Sequence, residues 1–191
     1  TRYISIIQRN NNNNMNGTIC VFSPIPCSTP SAQPTALTFN TLTSTSLNGS
    51  FTAASPAPSG YLIVRSTSAT PPTLTNGTTY AVGSTALGAG TLVIQGSAVT
   101  SNAVSFSDSG LTSNTSYYYY IFSYNNSCTG APFYNSTTPL SNSAITCPVA
   151  PTAPVNSAIT GSGFTVSWTA SAAGGNAALI EYILEVYTNA G

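Results

Sequence analysis

The sequence predicts an all-β protein folded as an antiparallel β-sandwich, and three observations lead there. Short runs of β-forming residues recur along the chain, punctuated by glycine, proline and asparagine, and no stretch holds a helical period. One run, Ser116 to Tyr124, carries four consecutive tyrosines followed by Ile121 and Phe122, enough apolar surface to cover both faces of a sheet. The turn signals are short: Ser59-Gly60, Asn76-Gly77, Gly88 to Gly90 and Ser109-Gly110 supply the turn-forming positions that antiparallel neighbours need.

Taken in order, residues 1–26 read as strand, loop, strand, with Tyr3 to Ile7 before the Asn10–Asn14 tract and Thr18 to Phe22 after it. They are expected to be the closing hairpin of a preceding sandwich. An internal repeat then sets the organisation. Cys27 stands seven residues before Pro34 and Cys147 seven before Pro154, and each stretch leads to a strand bearing an aromatic, Phe51 or Trp168. Two Pro-rich linkers, 27–34 and 148–154, are expected to be extended and stiff.

Between them, residues 35–147 form the one whole domain. Strands are predicted near Ala36–Leu42, Ser46–Ala53, Tyr61–Ser66, Thr79–Val82, Thr91–Gln95, Ala103–Ser107, Ser116–Tyr124 and Pro139–Ile145. Residues 155–191 then supply three further strands, around Ala158–Thr160, Phe164–Trp168 and Tyr182–Tyr187, the first strands of another sandwich. Phe164, Val166 and Trp168 alternate onto one face.

The 191 residues include three basic and three acidic side chains and no histidine, for a net charge of zero. Arg2, Arg9 and Arg65 make no cluster, so neither nucleic acid nor an anionic membrane is an expected partner. No apolar run reaches the roughly 20 residues that cross a bilayer as a helix. Cys20, Cys27, Cys128 and Cys147 form no Cys-x-x-Cys pair, and no imidazole is present to complete a zinc site. Disulfides are the better reading in a Ser/Thr-rich, turn-rich chain, and they imply an oxidising, extracellular setting. Pairing is expected locally, Cys128 with Cys147 and Cys20 with Cys27, each across the end of a hairpin.

Composition leaves little for catalysis. Without His or Lys there is no Ser–His or Cys–His arrangement, and the acids are only Asp108, Glu181 and Glu185. Glu181 and Glu185 lie four apart on a predicted strand, a solvated face rather than a metal site. Asp108, just before Ser109-Gly110, reads as a turn cap. Tyr117 and Tyr119 are expected to face the core, with Tyr118 and Tyr120 outward and Arg65 over one of the outward rings. No catalytic residue, metal or cofactor is expected. Six Asn-x-Ser/Thr acceptor motifs occur, at Asn16, Asn48, Asn76, Asn114, Asn125 and Asn135, and chance alone supplies nearly as many among 18 asparagines.

Leu111, Thr115 and Tyr117 match the Leu-x-Pro-x-Thr-x-Tyr tyrosine corner, with Ser113 in place of proline, and Phe164-x-Val166-x-Trp168 matches a buried second-strand aromatic. On these residues the chain resembles tandem fibronectin type III domains. Tyr61 to Arg65, Asn76 to Tyr80 and Tyr134 to Ser143 also resemble modules of large secreted or adhesin-like bacterial surface proteins. The resemblance implies a structural tyrosine corner at Leu111, Thr115 and Tyr117 and core aromatics at Phe51 and Trp168. It also implies a non-catalytic spacer in an extracellular multi-domain surface protein, its partners being neighbouring domains or, in a filament, copies of itself. A glycan- or protein-binding adhesive module and an accessory module of a secreted hydrolase are the alternatives.

Overall fold

A computed structural model describes residues 28–97, 102–171 and 181–186. Eight strands build the main body: β1 (Thr35–Asn40), β2 (Ser46–Thr52), β3 (Gly60–Ser66), β4 (Leu92–Gln95), β5 (Ser105–Ser109), β6 (Ser116–Asn125), β7 (Phe133–Tyr134) and β8 (Leu140–Ile145). One sheet has the order β1-β2-β5. The other runs β4-β3-β6, with β7 and β8 both pairing with β6. All pairings are antiparallel, and the two sheets enclose a sandwich core.

Period-two alternation decides what enters that core. Leu47, Gly49 and Phe51 of β2 point inward while Ser46, Asn48 and Ser50 point out. From the opposite sheet come Tyr61 and Ile63 of β3 and Tyr117, Tyr119 and Ile121 of β6. Phe51 meets Tyr61 edge to face at 5.1 Å, and the Tyr61 hydroxyl accepts the Ala54 N–H at 2.7 Å. Gly49 is required by a close approach: it faces Phe106 across the β2–β5 ladder, and a Cβ there would lie 2.3 Å from the ring.

A second apolar cluster covers the outer face of the five-stranded sheet. Leu62, Val64, Tyr120 and Phe122 are essentially inaccessible there, because residues 67–91 fold over them and insert Leu74, Tyr80 and Leu87. The strand predicted at Thr79–Val82 therefore does not form. Tyr80 instead uses its backbone on Ser97, its carbonyl accepting the Ser97 N–H and its N–H donating to Ser97 Oγ. Tyr120, expected on the outward face, lies there but is 2 % exposed beneath this cover, and its hydroxyl donates to the Ser68 carbonyl.

Two short strands follow, β9 (Val155–Ser157) and β10 (Thr165–Ser167), paired antiparallel in a sheet of their own. The Ala158–Thr160 strand is replaced by β9 three residues earlier, and residues 181–186 are not a strand. Trp168, expected in a core, is 39 % exposed. Among the described residues no second sheet lies over this pair of strands, so the indole keeps contact with water. The expected hairpin at residues 1–26 lies outside the described residues.

Candidate functional site

The strongest concentration of charge chemistry is inside the sandwich. Asp108 follows Phe106 by two on β5 and so shares its inward face; Arg65 follows Ile63 by two on β3 and faces the same core. They meet between the sheets, Arg65 Nη1 donating to Asp108 Oδ1 at 2.8 Å and to Oδ2 at 3.0 Å. The Tyr119 hydroxyl donates to Asp108 Oδ2 at 2.7 Å, and the guanidinium lies 5.2 Å over the Tyr117 ring. Asp108 is thus a buried ion-pair partner and not a turn cap, and Arg65 stacks on an inward tyrosine rather than an outward one. The signal was in the sequence: both charges fall on the inward phase of their strands.

This cluster is built for cohesion. Both Asp108 carboxylate oxygens are occupied by the fold, and its side chain is 3 % exposed. Burial, reinforced by the bond to Asp108, holds the Tyr119 phenol far above its ordinary range, leaving it neutral and donating.

At the start of β6, the Tyr117 hydroxyl accepts the Thr112 N–H at 2.9 Å, across the turn that Leu111 anchors in the core. Thr115 Oγ1 donates to the Ser113 carbonyl, and Asn114 takes φ 47°, a left-handed conformation that asparagine tolerates. On the outer cluster, the Tyr134 hydroxyl donates to the Thr78 carbonyl at 2.8 Å and contacts Ser97 Oγ. Desolvation pushes its pKa up to about 12 and also raises that of Tyr120.

Cys147 is an exposed free thiol whose Sγ lies 3.5 Å from the Leu42 carbonyl. The expected Cys128–Cys147 bridge is therefore not formed. The physical reason lies in β6 and β8. They run antiparallel, so Cys147, just past β8, sits at the Ser116 end of β6, while Cys128 lies beyond its Asn125 end. Cys20 and Cys27, expected to pair with each other, lie outside the described residues.

The acceptor asparagines divide by environment. Asn114 is 2 % exposed and its buried Nδ2 has no hydrogen-bond partner. Asn125 and Asn135 donate from Nδ2 to the Ser28 and Pro30 carbonyls, each at 2.9 Å. Asn76 is exposed and Asn48 half-buried on the outward face of β2, while Asn16 lies outside the described residues.

Two of the surface depressions contrast in their lining. One is polar, on the outer face of the three-stranded sheet, lined by Asn40, Asn48, Ser50, Ser105 and Ser107. The other is apolar, between Pro151, Pro154, Trp168, Tyr182 and Leu184. Glu181 and Glu185 are both exposed, and no group of three metal-ligating side chains occurs among the described residues.

No family model matches the chain, and neither does any curated protein. Among solved structures, an FN3 domain of human collagen XX is 22 % identical, with a TM-score of 0.38, covering 65 % of this chain and all of that one. A computationally redesigned β-sandwich protein is 16 % identical, with a TM-score of 0.42, covering 61 % of this chain and 91 % of its own. The fold is set by the strand order itself: the chain contains an antiparallel β-sandwich, three strands packed on five, an architecture that fibronectin type III domains share.

Proposed function

We propose that residues 28–147 are a non-catalytic spacer module of an extracellular, multi-domain surface protein, joined in line with its neighbours. One observation supports this above the others: where the chain reaches the sandwich and where it leaves it. Residues 28–33 lie beside the C-terminal end of β6, through Asn125 Nδ2 on the Ser28 carbonyl and the Ser123 N–H on Gln33 Oε1. The chain departs at the other end of the same strand, where the Asn114 N–H meets the Cys147 carbonyl and the Thr146 N–H meets that of Thr115. Ten residues separate these poles along β6, about 30 Å at roughly 3.3 Å per residue. A module that receives its chain at one pole and releases it at the other adds length to a stalk.

Imaging the isolated native assembly tests this reading. Rods or filaments that lengthen by a few nanometres per module are expected. Compact particles, or tight glycan binding through the polar face of Asn40, Asn48 and Ser107, would replace the spacer with an adhesive module.

A further inference from the structure

The sandwich has an unusual solubility problem. Of the six charged side chains in the sequence, two are spent on each other in the core, Arg65 and Asp108. The outward face of the three-stranded sheet carries Thr38, Asn40, Ser46, Asn48, Ser50, Ser105 and Ser107, uncharged throughout. The loop over the other sheet, residues 67–91, contains no charged residue either. Neutral surfaces do not repel one another at a distance, and charge is the usual guard against association.

We propose that Asn48 and Asn76 carry N-linked glycan, one on each outer face of the sandwich, while Asn114, Asn125 and Asn135 stay bare. The inference rests on the extracellular reading above. In the transfer, the amide Nδ2 attacks the anomeric carbon of a lipid-diphosphate-linked oligosaccharide. The new C–N bond forms as the C–O bond to phosphate breaks, the lipid diphosphate leaves, and one amide proton passes to the transferase. What the folded protein must offer is an Nδ2 with free space and a hydroxyl two residues on.

Asn76 meets that requirement in the exposed Asn76-Gly77-Thr78 turn, where Gly77 takes φ 82°. Its Oδ1 accepts the Tyr134 N–H at 2.9 Å, and that bond survives glycosylation because the sugar replaces a hydrogen on nitrogen. Asn48 meets it on β2. Its amide has no hydrogen bond among the described residues, and Ser50, two residues on, shares its outward face. Gly49 between them turns inward beneath the Phe106 ring.

The other three are closed for separate reasons. Asn114 is buried in the tyrosine corner with a left-handed backbone. Asn125 holds Ser28 with Nδ2 and accepts the Ser59 N–H with Oδ1, so a sugar would stand where residues 28–30 lie. Asn135 is tied in the same way to Pro30 and to the Thr137 N–H.

The test is secretion of the full 191-residue chain from a eukaryotic cell line, with enzymatic deglycosylation in heavy-oxygen water and peptide mapping of the soluble fraction. Isotope label at Asn48 and Asn76, and none at Asn114, Asn125 or Asn135, is the expected result. Label at any closed site in folded material, or its absence from either open one, overturns the assignment. A second measurement reads the consequence: light scattering should show Asn48→Gln with Asn76→Gln self-associating at concentrations where the glycosylated chain is monomeric. Equal behaviour would remove the protective role. In-line rods from native material with bare Asn48 and Asn76 would sink this inference and leave the spacer reading intact, whereas glycan at both on compact particles would do the reverse.

Discussion

Residues 28–52 and 148–168 begin from nearly the same sequence pattern and arrive at different structures. Each has a Pro-rich approach and an aromatic on the strand that follows, yet Phe51 is 6 % exposed and Trp168 is 39 % exposed. The strand bearing Phe51 is covered by a second sheet of five later strands, whereas β10 pairs only with β9 among the described residues. Alternation aims a side chain; only an opposing layer buries it. The approaches differ as well. Residues 28–34 are bound to the sandwich by side chains of Gln33, Asn125 and Asn135, so they are part of it rather than the free stiff linker their proline content suggests. Residues 148–154 are exposed throughout.

The sharpest way to break this comparison is to truncate both aromatics. Phe51→Ala should destabilise the sandwich by about 3–5 kcal/mol, the usual cost of deleting a packed core ring. Trp168→Ala should shift the same unfolding midpoint by less than about 0.5 kcal/mol. Chemical denaturation followed by tyrosine near-ultraviolet circular dichroism reads both. Comparable losses would show that Trp168 belongs to the same cooperative core.

Next in size is the ion pair. Arg65→Met leaves Asp108 buried with only Tyr119 as a donor, and removing one member of a buried pair costs about 3–5 kcal/mol. Arg65→Met combined with Asp108→Leu should recover much of that loss, because well-packed apolar replacements avoid the desolvation penalty altogether. Trp168 is the single tryptophan, so its fluorescence reports the β9–β10 region separately. That signal should be unmoved by either variant.

Alkali should also separate the regions. Burial is the first cause that raises the phenol pKa values of Tyr120 and Tyr134 above the ordinary 10.0, Tyr134 to about 12, and it raises Tyr119 further. A phenol whose pKa is raised by folding favours the neutral form in the native state. Its contribution is complete below pH 10 and is lost as pH climbs from there through 12. Spectrophotometric titration should therefore show these three tyrosines ionising late and together with loss of the sandwich. Ionisation of every tyrosine near pH 10 with the fold intact would contradict the burial described here.

Much of this was legible in advance, and the exceptions share a cause. β2, β3, β6 and β8 follow from alternation and turn residues, and the Tyr117 corner from its spacing to Leu111. What could not be read locally was whatever depends on a partner distant in sequence. Tyr80 sits among Thr, Gly and Ala, and nothing nearby says that it plugs the outer face of β3 and β6. Asp108 next to Ser109-Gly110 looks like a turn residue until Arg65 is placed across from it. Cys128 and Cys147 lie close in sequence, but β6 carries them to opposite poles.

The smallest effect tests the docked approach. Gln33 Nε2 donates to the Asn135 carbonyl at 2.6 Å and its Oε1 accepts the Ser123 N–H at 2.9 Å, bridging β6 to the segment after β7. Gln33→Ala removes both bonds. Water can reach this edge, since Gln33 is only half-buried, so the loss should be about 0.5–1.5 kcal/mol rather than a full desolvation penalty. Thr152→Ala is the matched change in the other approach, where Thr152 Oγ1 accepts the exposed Thr169 N–H at 2.8 Å, and it should cost less. The more telling readout is hydrogen exchange: the Ser123 amide should lose protection in Gln33→Ala while the Ile121 amide, deeper in the same strand, keeps it. If both amides lose protection equally, Gln33 is holding the sandwich together. If neither does, residues 28–34 are not docked and the two approaches are alike after all.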